Sequence, residues 1–227
     1  MTIANWIFLS LSVISVGLYT FSLIKKFELL KKISAGTILP FITALSISFL
    51  LNKLPDSRHT ITTTIITMSL ASITEILFIY ENKKFLRIIF RLTFLLSVIG
   101  WMELYKAVFY IYSFSSLITI TAGIIYTAGI IYTLILTGRQ PLYEYASFLL
   151  AMIIGISLHF SSLIKLCYGF SISSLILFAG TTVTLAEIIF YILDYSKFHF
   201  KYSRPVNLIL LILSQTLISF SNILLLM

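Results

Sequence analysis

Apolar runs of around 20 residues recur from one end of this 227-residue chain to the other, and they leave few folds open. A helix of that length rises 1.5 Å per residue and so crosses the hydrocarbon core of a bilayer, about 30 Å thick. Composition agrees: 59% of the residues are hydrophobic and 11% charged, where a soluble domain carries about 25% charged residues. The expected fold is all-α, a polytopic membrane helix bundle of about eight transmembrane helices, forming a single transmembrane domain over residues 1–227. Apolar windows place the helices at about 4–24, 33–52, 61–80, 87–112, 115–137, 142–164, 170–193 and 205–226. Arg91, Glu103 and Lys106 interrupt the fourth. The connections are too short to fold separately, which suits antiparallel neighbours.

The net charge of +8 raises the question of nucleic acid. The basic residues are instead scattered through short loops at the ends of apolar runs, where membrane insertion accounts for them, so no nucleic-acid partner is expected. Cys167 is the single cysteine, which excludes an internal disulfide and a cysteine-based metal cluster. No Lys or Arg precedes the first apolar run, and Lys25 and Lys26 follow it, so a cleavable signal peptide is not expected.

Loop charge sets an orientation. Lys25, Lys26, Lys31 and Lys32 follow the first helix, and Lys83, Lys84 and Arg87 the third. Arg139 follows the fifth, and Lys197, Lys201 and Arg204 the seventh. The opposite side carries only Lys53, Arg58 and Lys165. The positive-inside rule makes the first group cytoplasmic and puts both termini outside. The expected setting is a bacterial inner membrane.

Against this background two acids stand out. Glu75 and Glu187 sit in similar surroundings, Thr74-Glu75-Ile76-Leu77-Phe78 and Ala186-Glu187-Ile188-Ile189-Phe190, each followed by a basic turn. A carboxylate at a helix centre costs roughly 2.5–3.5 kcal/mol on insertion scales, so its retention asks for a reason. Glu75 precedes Glu81 by six residues and Glu187 precedes Asp194 by seven, so each lies roughly 9–10.5 Å below the cytoplasmic boundary. Both helices run from outside to inside, and a parallel four-plus-four repeat is conceivable. Either acid could pair with a loop lysine. Alternatively the two face a polar cavity, where one stays neutral in its apolar setting and donates a proton while the other activates water.

Other polar residues allow two readings each. Glu103 and Lys106 can neutralise each other as an (i, i+3) pair, or line a polar-aromatic cavity with Tyr105, Phe109, Tyr110 and Tyr112. Arg91 can snorkel to the interface or bind a lipid phosphate. His159 has no second histidine at ligand spacing, and His59 and His199 fall in loops, so no metal site is expected. Gly123 and Gly129 in the fifth helix are expected to let helices pack closely.

Several segments then fall in a familiar order: Thr74-Glu75 at the end of an apolar helix, Met102-Glu103-Leu104-Tyr105 in the next, Pro141-Leu142-Tyr143-Glu144-Tyr145 with Met152, the run from Gly180 to Ala186-Glu187, and Ser214-Gln215-Thr216-Leu217-Ile218 in the last. Over most of its length the chain resembles the lysoplasmalogenase-like (YhhN) family of integral membrane proteins. Where that family has aspartates, this chain has Glu75 and Glu187; where it has a histidine, Met102; where it has Lys-Pro, Leu39-Pro40. The resemblance implies a hydrolase that cleaves the vinyl-ether bond of a lysoplasmalogen to a fatty aldehyde and a glycerophospho-alcohol. It implies Glu75 and Glu187 as the acid/base pair, with Tyr105, Glu103, Tyr145 and Gln215 binding the substrate. The implied partners are a lysophospholipid substrate and membrane lipid, with the head group near Lys83, Lys84 and Lys197, and no metal or organic cofactor is required. Two rivals remain: a proton-coupled small-molecule carrier, and a lipid-binding member without catalysis. A carrier would be expected to break helices at Gly or Pro in corresponding halves. Pro40 has no counterpart inside the sixth helix, which Pro141 only precedes.

Overall fold

A computed structural model describes residues 2–53, 58–80, 84–105, 116–138, 140–195 and 202–226. Nine helices occur among them: α1 (Ile3–Lys25), α2 (Glu28–Ala35), α3 (Ile38–Lys53), α4 (Arg58–Ile79), α5 (Lys84–Leu104), α6 (Ser116–Thr137), α7 (Leu142–Tyr168), α8 (Ile172–Tyr195) and α9 (Ser203–Leu226). With α2 and α3 counted as one span, eight are long and apolar enough to cross a membrane. The chain is an all-α polytopic membrane protein.

Sequence chemistry explains the helix ends. Thr2 caps α1 by accepting the Asn5 N–H, and Lys26 closes it in the left-handed conformation at φ 58°, its N–H on the Ser22 carbonyl. The second span differs from the continuous helix expected over 33–52. It begins earlier, as the amphipathic α2, whose Glu28 pairs with Lys31 one turn on at 2.9 Å. It then breaks at Gly36-Thr37 and restarts as α3. Pro40 is the third residue of α3, where its missing N–H removes no ladder bond and its fixed φ favours a helix start. Further along, α7 continues to Tyr168, so Lys165 lies in its last turn rather than in a loop, and His59 belongs to the first turn of α4. The expected tail of the fourth helix, with Lys106, Phe109, Tyr110 and Tyr112, falls outside the described residues, as do Glu81, Lys83, Arg139, Lys197, His199 and Lys201.

The chain divides into two compact units, residues 1–104 with 219–227 and residues 105–218. In the first, α1 packs on α2 and α3, α3 on α4, and α4 on α5. Phe78, Phe90 and Phe94 stack between α4 and α5 with centroids 5.4 and 6.4 Å apart. Side-chain hydrogen bonds cross between helices: Ser48 to Asn5 at 2.6 Å, Thr43 with Ser72 at 2.8 Å, Ser46 with Ser219 at 2.7 Å and Asn222 to Thr64 at 3.2 Å. Hydroxyls and small side chains glue helices where apolar surface gains nothing from leaving lipid. In the second unit α7 packs on α8, and α6 lies against both. Most of α6 is exposed, including Ile120, Ile124, Ile131 and Ile135, as suits a lipid-facing helix.

Three glycines, none of them the pair expected to serve close packing, sit where a side chain would collide. A Cβ at Gly123 or Gly129 would meet nothing within 4 Å, because they lie on the exposed α6. At Gly180 it would lie 2.9–3.0 Å from Ile218 and Leu217, and at Gly155 2.4 Å from the flexible tip of Ile188. At Gly100 it would lie 2.2 Å from Thr67 Oγ1 and 3.0 Å from Thr67 Cβ. A β-branched threonine has little rotamer freedom with which to yield. Gly100→Ala is therefore expected to cost about 1–3 kcal/mol. Thermal unfolding in detergent should show a lowered midpoint, and Thr67→Ala in the same chain should recover most of it. No drop in the single variant would mean that α4 and α5 do not approach closely at this level.

Candidate functional site

Glu75 is wholly buried on α4 in the first unit. Its Oε2 accepts the backbone N–H of Leu39 at 3.1 Å. Leu39 is the second residue of α3, so this N–H is one of the four that a helix start leaves without an intrahelical acceptor. The carboxyl thus caps a neighbouring helix at the end that attracts negative charge. Beside the break, a Cβ at Gly36 would lie in ordinary van der Waals contact with Ile76 and Ile79 of α4. The other oxygen, Oε1, is buried with no hydrogen-bond partner.

Glu187 is almost as deeply buried, on α8 in the second unit. The Ser214 hydroxyl of α9 hydrogen-bonds its Oε2 at 3.2 Å and the Leu211 carbonyl at 2.9 Å. One turn further, on the same face of α9, the Ile218 carbonyl accepts the Tyr105 hydroxyl at 2.9 Å. Lys165 Nζ stands 5.0 Å from the Tyr105 ring centroid, within cation–π range. Gly180 permits this convergence by letting α8 approach Ile218 closely. Gln215, next to Ser214, is fully buried.

In the second unit α9 thus receives Glu187 at Ser214 and Tyr105 one turn on at Ile218. Tyr145 lies elsewhere: its hydroxyl bonds the Gly138 carbonyl and ties the first turn of α7 back to the preceding loop. Glu144 bonds Tyr195 at 2.9 Å and Gly155 lies under Ile188, so α7 and α8 run antiparallel. That register puts Tyr145 roughly 14 Å along the helix axis from the level of Glu187. Glu103 is exposed at the end of α5, and its expected partner Lys106 is outside the described residues. His159 is a satisfied core histidine, with Nδ1 3.2 Å from Thr181 Oγ1 and its ring 4.9 Å from that of Phe178. Among the described residues no group of three His, Cys, Asp or Glu could hold a metal ion.

The partner of Glu75 was hidden from a sequence reading. Leu39 contributes through its backbone, which leaves no trace in side-chain chemistry. The available signal was Gly36 followed by Pro40, a break-and-restart pattern inside an apolar run. The matching surroundings of Glu75 and Glu187 do not extend to their partners, a helix N-terminus for one and a serine hydroxyl for the other. Comparison with family models, curated proteins and solved structures finds no match to this chain.

Glu75→Leu would strand the Leu39 N–H in a dry interior, a cost of about 1–3 kcal/mol. Glu75→Gln keeps a carbonyl oxygen for that donor. The expected order of thermal midpoints in detergent is wild type and Glu75→Gln close together, with Glu75→Leu several degrees lower. Equal midpoints for Gln and Leu would show that the cap contributes nothing to stability.

Proposed function

We propose that the chain is a membrane-embedded hydrolase of the lysoplasmalogenase type, with Glu75 and Glu187 as its reacting carboxyls. The observation that carries this reading is the state of the two acids. Each is enclosed in an apolar helix and held by a neutral donor, with no ion-pair partner among the described residues. A carboxyl neutralised by a lysine has no reason to exchange protons, whereas one held by neutral groups can do so in the reaction.

The hydrogen bonds favour Glu187 as the proton donor. A serine carries one hydroxyl hydrogen, and Ser214 has two oxygen neighbours, Leu211 O at 2.9 Å and Glu187 Oε2 at 3.2 Å. In this reading Glu187 is protonated and its carboxyl hydrogen serves the contact with Ser214, leaving the hydroxyl hydrogen for Leu211. The vinyl-ether double bond takes that proton at its outer carbon, leaving an oxocarbenium-like cation at the carbon bearing oxygen. Water adds there and returns a proton, and the hemiacetal collapses to a fatty aldehyde and a glycerophospho-alcohol. The resemblance supplies Glu75 as the second carboxyl.

In this reading the substrate is a lysophospholipid drawn from a bacterial inner membrane, with the basic loops cytoplasmic and both termini outside. A C-terminal alkaline phosphatase fusion should be active and a C-terminal green fluorescent fusion dark; the reverse result would invert the topology. For the activity, purified wild-type chain should release aldehyde from a lysoplasmalogen. Glu187→Gln and Glu75→Gln should each lower the rate by about 100-fold or more. If wild type releases none across pH and head groups, the hydrolase reading fails.

One observation favours a second reading, a proton-coupled carrier. The second span is discontinuous at Gly36-Thr37, and carriers often bind substrate and coupling ions at such breaks. The α7 helix in the other unit is unbroken. Solute uptake by proteoliposomes without aldehyde release would support the carrier.

A further inference from the structure

We propose that the break between α2 and α3 is a binding site for a small monovalent metal cation of sodium size, held on Glu75 Oε1. Three observations converge there. Glu75 Oε1 is wholly enclosed and without a hydrogen-bond partner, while its twin Oε2 is fixed by the Leu39 N–H. A buried polar atom left open in an otherwise bonded group points to a bound water or ion. Second, the C-terminal end of α2 meets the break, where carbonyl oxygens of an interrupted ladder attract a cation. Third, the break itself carries hydroxyl oxygen: Thr37 Oγ1 lies 3.1 Å from Ser15 Oγ of α1 and donates to the Ser34 carbonyl at 3.0 Å.

The chemistry of the donors selects the ligand. All are oxygens, which suit hard cations rather than the softer metals that choose nitrogen or sulfur. Glu75 is the one carboxylate of the cluster, so it neutralises a single positive charge. A divalent ion would leave a net charge in a dry interior at large cost. An ammonium or guanidinium group is too large for a carboxyl that is 0% exposed. The inference does not rest on the hydrolase reading: it is read from the ion dependence of unfolding, whereas that reading is tested by aldehyde release.

Thermal unfolding of the full chain in detergent tests this, in sodium, lithium, potassium or N-methylglucamine chloride at equal ionic strength. Sodium should raise the wild-type midpoint saturably, by about 4 °C at ten times its half-saturating concentration, and N-methylglucamine should not. The rise should vanish in Glu75→Gln. In Glu75→Asp, which keeps the charge but withdraws it by one methylene, half-saturation should move at least tenfold higher. The Asp variant and the wild-type ion series decide the matter even if the Gln variant does not fold. Equal effects of all four cations, a response to pH alone, or an unchanged sodium response in either variant would overturn the proposal.

Discussion

Inside a bilayer no water is present to satisfy a backbone N–H, so any interruption of a helix has to be repaired by the protein itself. The bond from Leu39 N–H to Glu75 is such a repair. Gly36-Thr37 and Pro40 stop the second span and restart it, which creates a helix end inside an apolar segment with donors that need an acceptor. A carboxylate from α4 meets one of them. The acid that looked too expensive for an apolar helix is tied to a backbone feature that would be expensive without it. Each makes the other tolerable.

The same constraint shapes the rest of both units. Apolar surface gains little by leaving lipid for protein, so helix pairing rests on close approach and on polar links. Gly100, Gly155 and Gly180 provide the close approach. The polar links are single hydrogen bonds between hydroxyl or amide side chains, as between Thr43 and Ser72 or Asn222 and Thr64. Glu187 belongs to this class through Ser214, and Tyr105 joins it by reaching the Ile218 carbonyl. The two acids are therefore part of the architecture, and a change to either carries a structural consequence.

The resemblance to a lysoplasmalogenase-like family remains the source of the proposed function, and the hydrogen bonds show how differently the two acids are held. Glu75 has one fixed and one open oxygen, and Glu187 shares a serine hydroxyl with a carbonyl. Among the residues expected to bind substrate, Tyr105 bonds the Ile218 carbonyl of α9, Gln215 is buried on the same helix, and Tyr145 braces the α6–α7 connection. The difference follows from register. Tyr145 is near Glu144, which pairs with Tyr195 at the far end of α8, and a helix cannot carry it back to the level of Glu187.

Hydropathy alone determined that this chain is a membrane helix protein with eight spans among the described residues, because a 20-residue apolar run has one stable answer in a bilayer, while the ends of several spans and the break in the second were set by packing. It also singled out Glu75 and Glu187, since the cost of a buried charge is a local property of its surroundings. Only the tertiary structure decided what each acid does with its oxygens. The donors come from residues 36 positions away for Glu75 and 27 for Glu187, one of them a backbone group without a chemical signature in the sequence. The break at Gly36-Thr37 was decided at the same level. A glycine and a proline inside an apolar run permit an interruption, but the interruption survives in hydrocarbon only when a packed neighbour presents an acceptor to the freed N–H.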